Sequence, residues 1–428
     1  MAIWILVLFF VFGILGMPIG FLLGVVSIIG FLLMGEPLYL SMLSTKFFSA
    51  MNSYVFLALP LFLLAGDIMN KIGLTEKIVN FSNLFFGRLR GGLAQVNIVT
   101  SIIFGGISGS AVSDTVALGT IFIPAMEKEG YDRDFSTAVT AASSIIAPII
   151  PPSIIMVIYG GIMGVSVAGL FAAGLIPGLL IGVALMIITR IISGKRGYPK
   201  HKIPFTLGKA FTETRKASAA LLMPIIILGG ILGGICTPTE AAALAVAYAL
   251  ILGLIVYRNL SFAALYDVFY QCAVYMGIII LILSSASVLA WLLTIEQIPQ
   301  MVAELFMRAS DNKYVILILI NLFLIIVGMF MDITASMIIL APILAPLATN
   351  LGVHPLHFGM MMCVNLLIAL ITPPMGGCLF AAMIVGKIDF ITLVKAIWPF
   401  IIAELIVLFM IIFIPEITLF VPRALGFL

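Results

Sequence analysis

The sequence predicts an all-α, polytopic membrane protein made of two inverted structural repeats, each with a re-entrant hairpin and an interrupted helix. Three observations predict it. The 428 residues are 63% hydrophobic and only 9% charged, too few charges to cover a soluble core of this length, and apolar runs of spanning length recur throughout. The basic residues gather in a few loops, which fixes an orientation. The chain also resembles itself when shifted by 222 residues, as repeat architectures do.

The first apolar run has no preceding basic residue and no small-residue cleavage site after it, so it reads as a retained helix rather than a signal peptide. Asp67 and Lys71 stand one turn apart at a helix end and read as a solvated pair. Residues 95–126 then form the first hairpin, whose tip is GGISGSAVSDT, Gly105 to Thr115. A polar loop, EKEGYDRD, follows at 127–134. After it comes a helix over about 136–161, interrupted by the prolines of IIAPIIPPS, which free carbonyls of the preceding turn. Residues 1–190 make the first repeat.

Residues 191–216 are a basic linker. From Arg190 to Lys216 the cations Arg190, Lys195, Arg196, Lys200, Lys202, Lys209, Arg215 and Lys216 face one acid, Glu213. The positive-inside rule puts this linker in the cytoplasm. Counting outward, 17 of the 21 Lys and Arg fall inside, and both termini fall outside.

Residues 217–428 repeat the plan. PTEAAA opens a helix, with Thr237 or Thr239 as its cap and Glu240 in the first turn. The second hairpin spans about 314–348, entering from the outside, and its broken helix spans about 358–385. At the 222-residue offset, Pro151 and Pro152 match Pro373 and Pro374, and Gly106 matches Gly328. GGISGSAVSDT then aligns with VGMFMDITASM (327–337), so each tip holds one carboxylate at bilayer depth, Asp114 and Asp332. An acid there costs about 2.5–3.5 kcal/mol on insertion scales and needs a partner or a watery cavity. Inverted repeats with interrupted helices are a transporter architecture. Close helix packing is the competing account of the small residues.

Hydroxyls, free carbonyls and a carboxylate are hard oxygen ligands for a small alkali cation. Amides at half-helix starts suit an anion. Enzyme readings fail on the residues. GISG (106–109) matches the GxSG of intramembrane serine proteases, but the histidines are His201, His354 and His357, none placed to activate Ser108. No GxGD accompanies either aspartate, and no ATPase motif is present. Net charge +3 suggests no nucleic-acid partner. The four cysteines read as small packing residues, and Trp4, Trp291 and Trp398 as interfacial anchors.

GGISGSAVSD (105–114), AASSIIAPIIPPSIIMVIYG (141–160), CTPTEAAALAVAYAL (236–250) and LIALITPPMG (367–376) together resemble the large membrane subunit of tripartite ATP-independent periplasmic (TRAP) transporters. The resemblance covers essentially the whole chain. It implies an elevator-type, sodium-driven importer of an organic acid in the bacterial inner membrane, with substrate delivered by a soluble periplasmic binding protein. A small membrane subunit completes the complex; because this chain starts directly at the large-subunit pattern, a separate partner is implied. Sodium is expected near Ser108, Ser110 and Asp114 with Pro148 and Pro151, and near Gly328 and Asp332 with Thr372 and Gly376. The substrate carboxylate is expected at Ser108, Gly109, Ser110 and Ser153. Stretches near Pro37–Thr45 and Ser261–Phe269 look like interfacial arm helices. A C4-dicarboxylate and a sialic acid are both compatible substrates. A stand-alone sodium–anion symporter is the alternative; a non-transporting scaffold is the reading from another class.

Overall fold

The computed structural model describes residues 2–35, 37–198, 207–310 and 312–428, and every regular element among them is helical. Lys200, His201 and Lys202 of the linker lie outside the described residues. Among the described residues, eight helices are long and apolar enough to cross a membrane. The first half runs α1 (Ala2–Ile14), α2 (Ile19–Met34), α3 (Pro37–Met51), α4 (Ala58–Lys71) and α5 (Leu74–Phe86). It continues with the hairpin α6 (Gly92–Ser108) and α7 (Ala111–Lys128), then α8 (Arg133–Ser144), α9 (Ile154–Met163) and α10 (Val167–Lys195). The second half runs α11 (Leu207–Leu232), α12 (Pro238–Ile251), α13 (Phe262–Ile295) and α14 (Ile298–Ala309). The hairpin α15 (Lys313–Phe330) and α16 (Ile333–Asn350) follows, then α17 (Pro355–Ala369), α18 (Gly377–Gly386), α19 (Phe390–Phe413) and α20 (Glu416–Ala424).

The 222-residue offset carries into the elements. Shifted by it, α7 coincides with α16 at both ends, and α6, α8, α9 and α10 fall on α15, α17, α18 and α19, with starts that agree to within one residue. The halves differ where α3 and α4, separated by Asn52 and Ser53 and a short 3₁₀ turn, correspond to the single 34-residue helix α13. In each half the break between the third and fourth of these elements, α8 to α9 and α17 to α18, spans the proline pair, and both Pro–Pro bonds are cis.

Packing sorts the helices into two groups. Within one, α7 lies against α8 and α18, α8 against α19, α9 against α16, and α10 along α6 and α19, so the two hairpin units interlock. In the other, α2 and α3 pack on α13, α4 on α12, and α5 on α11, while α5 also lies along α6 of the first group. Small residues permit the tightest seams: a side chain at Gly30 of α2 would collide with Leu292 of α13, and one at Gly20 would meet Leu281 at 2.9 Å. At the proposed arms, Tyr266 and Tyr270 are exposed and stack 6.4 Å apart. Trp4 and Trp398 are exposed, as interfacial anchors are. Trp291 does something else: it packs on Phe31 and Tyr39 under Lys46, joining α13 to α2 and α3.

Local capping explains several boundaries. Thr237 caps α12, its hydroxyl accepting from the Glu240 N–H while Glu240 accepts from the Thr237 N–H at 2.8 Å. At the start of α8, Arg196 donates to Asp132 at 2.8 Å and Asp134 at 3.0 Å, and the Tyr198 hydroxyl donates to Asp132 at 2.7 Å. The linker's first residues are thereby clasped to α8. These bonds, the Tyr198 hydroxyl first and Arg196 second, hold the Asp132 carboxyl below its ordinary range.

Candidate functional site

The first hairpin tip is built by two glycines and two caps. Gly105 lies so close to the broken helix that a Cβ would sit 2.7 Å from the Ala147 Cα. Gly109 turns the chain at φ +60°, and a side chain there would meet the Pro152 carbonyl at 2.7 Å. Ser110 then caps α7, its hydroxyl accepting from the Ser113 N–H, and Ser153 caps α9 in the same way from the Met156 N–H. Thus the structure brings Ser108–Ser110 together with Pro148–Pro152. Asn97 to Thr140 (2.7 Å), Ser101 to Ser143 (3.0 Å) and Thr115 to Ser144 (2.7 Å) tie α6 and α7 to α8 behind the tip.

Ser108 is 9% exposed, and its hydroxyl donates to Asp114 Oδ1 at 2.5 Å. Asp114 is fully buried, and its Oδ2 has no hydrogen-bond partner. A hydroxyl has one donor and two acceptor positions; Ser108 also accepts from the Ser110 N–H at 3.4 Å, so it offers one remaining electron pair rather than a proton. As held here it suits a cation better than an anion.

The second tip is assembled differently. Asp332 is exposed; Oδ1 accepts from the Thr334 N–H at 2.8 Å and caps α16. In the 222-residue register it is the partner of the cap Ser110, while Asp114 falls on Ser336. Gly328 packs on Ala369, the Thr372 hydroxyl bonds back to the Ile368 carbonyl at 2.8 Å, and Gly376 presses on the Leu370 carbonyl.

Both tips open onto one cavity of about 650 Å³. Ser108 to Ser113, Pro148, Ile154 and Ile155 border it from the first half, and Asp332, Ile333, Thr334 and Leu370 from the second. Asp114, Pro151, Ser153, Gly328, Thr372 and Gly376 do not border it. The first-turn amides at Ala111, Val112, Ile154 and Ile155 belong to residues on its wall, at two helix N-termini that converge on one space. The opposite wall comes from α4 and α13 and includes Asp67, Asn70, Gln271 and Tyr275.

That wall was missed. Asp67 and Lys71 do not close into an ion pair among the described residues; Asp67 borders the cavity instead. The signal was an acid in an apolar helix, masked by a cation one turn away. Glu404, fully buried on α19 with both oxygens unpartnered, carries the same signal and was also passed over. Among the described residues, the cavity lining holds two carboxylates and no lysine, arginine or histidine. An anion held there by amides alone would face net negative charge, which co-bound cations would offset.

The comparisons agree on the kind of protein. The family described as "Tripartite ATP-independent periplasmic transporter, DctM component" matches residues 6–417. The sialic acid TRAP transporter large permease protein SiaM of Vibrio cholerae is 40% identical over 95% of this chain and 95% of its own. The C4-dicarboxylate TRAP transporter large permease protein DctM of Pseudomonas aeruginosa is 35% identical over 92% of each chain. Among solved structures, the YdaH transporter of Alcanivorax borkumensis shares the fold at TM-score 0.59 over 87% of each chain, with 15% identity.

Proposed function

Because this multi-pass membrane chain belongs to the DctM component family of tripartite ATP-independent periplasmic transporters, we propose that it imports an organic acid anion, driven by sodium, through the cavity between its two hairpin tips. The carrying observation is the convergence of both tips on one space whose charged groups are Asp67 and Asp332. In this reading the carboxylate meets the amide ends of α7 and α9. Sodium enters as a co-transported substrate, beside the orphaned Asp114 Oδ2 with Ser108, Ser110 and the Pro148–Pro152 carbonyls, and beside Asp332 with Gly328, Thr372 and Gly376.

The interlocked group α6–α10 and α15–α19 carries both tips, and we assign it the moving part of an elevator against the wall of α4 and α13. The two halves then run in opposite senses as inverted repeats, 1–190 and 217–428, with hairpins entering from opposite sides of the inner membrane, the linker cytoplasmic and both termini periplasmic. A sialic acid or a C4-dicarboxylate is the substrate class that the names of the relatives support. A small membrane subunit and a soluble binding protein are the assigned partners.

Ser108→Cys tests the site. A membrane-permeant thiol reagent should modify it, and substrate with sodium should protect it. Modification from the periplasm that no combination of sodium and organic acid slows would remove Ser108 from the transport site. Uptake at full rate without a binding protein would favour a stand-alone symporter.

A further inference from the structure

A second cavity, about 490 Å³, lies away from the transport site between the loop after α5 and the end of α10. Arg88, Arg90 and Arg190 line it, and no acidic residue does among the described residues. Arg90 and Arg190 have no ion-pair partner among the described residues. The loop is fixed rather than loosely draped: Gly91 adopts φ +74°, a side chain there would collide with Ser193, and the Arg90 guanidinium lies over Gly194. Two guanidiniums without an ion-pair partner among the described residues, Arg90 and Arg190, held around one space that Arg88 also lines, attract a phosphate.

The rest of the lining is aliphatic: Leu89, Ile187 and Ile191. Ile187 and Ile191 continue a row of exposed apolar side chains on α10 that begins at Leu179 and Val183. The four are spaced four residues apart, so they share one helix face. That row runs along a membrane-spanning helix directly into the arginine cluster. The cluster belongs to the side of the protein that carries most of the basic residues, the side that faces anionic lipid.

We propose that this cavity is a binding site for an anionic phospholipid, with the headgroup phosphate among Arg88, Arg90 and Arg190 and an acyl chain along Leu179, Val183, Ile187 and Ile191. Charge and shape choose the occupant together. A soluble phosphate compound would use the arginines and leave the apolar row idle, and a neutral lipid would do the reverse.

The test is thermal stability of the purified full chain in detergent, titrated with phosphatidylglycerol, phosphatidylcholine or inorganic phosphate. Phosphatidylglycerol should raise the melting temperature at the lowest concentration. The double variant Arg90→Gln and Arg190→Gln should need about ten-fold more of it or worse, two lost surface cations being the cause. Lys395→Gln, a charge loss on another helix, should leave the titration unchanged, and Ile187→Ser should weaken the lipid effect but not any effect of phosphate. Equal stabilisation by phosphatidylcholine, or by phosphate alone, would overturn the proposal. So would an unshifted titration in the arginine double variant. In the complete transporter, high-yield cross-linking of Ile187→Cys to the small membrane subunit would also overturn it, because protein would then cover the row.

Discussion

Ser108 spends its only proton on Asp114, and this fixes what the pair can hold. The buried side chains Ser108 and Asp114 present oxygen lone pairs, and the donors beside the cavity are first-turn amides of two helices whose residues line it, not the serine hydroxyl. Asp332 is exposed and already works as a cap. Substitutions at the two tips should therefore differ. Asp332→Asn keeps the cap, since asparagine caps as well as aspartate, so it should fold normally and raise the sodium concentration for half-maximal transport modestly. Ser108→Ala strips a carboxylate of its hydrogen bond, an interaction worth about 1.5–3 kcal/mol, and should raise it by about ten-fold or more. A sodium titration of uptake for both variants checks this. Unchanged curves for both would reduce the tips to structural turns.

At the scale of elements, much was legible because membranes leave the backbone few choices. Glycines, serines and an aspartate inside an apolar run marked the turn between α6 and α7, and the prolines marked the breaks before α9 and α18. The wall from α4 and α13 was not legible. Gln271 and Tyr275 reach the cavity only because two distant helices pack against the hairpin unit, and no local pattern records that. That Asp114 is buried and Asp332 exposed was not legible for the same reason, since exposure depends on what packs beside the tip. The clasp of Arg196, Tyr198 and Asp132 is another long-range product. Tyr198→Phe should lower stability by about 1 kcal/mol at neutral pH. Because Asp132 is held below its ordinary value, the clasp contributes above the unfolded pKa near 3.9 and fades as pH falls through the lower folded value. Melting curves of wild type and variant should thus differ at pH 7 and converge only in strong acid.

For the whole molecule, the 222-residue register places five successive elements of one half on five of the other, and both hairpin units meet in one interlocked group. A group that carries both tips, facing a wall from separate helices, can move as a body while the tips keep their mutual geometry. In the proposed function coupling would follow from charge: two acids and no base among the described residues lining the cavity would make an organic anion and its cations dependent on one another. Transport in proteoliposomes holding this chain, the small membrane subunit and the loaded binding protein tests that dependence most directly. An inward sodium gradient should drive accumulation of the organic acid, and collapsing the gradient should stop it. Accumulation that continues undiminished without sodium, driven by protons or ATP, would contradict the account.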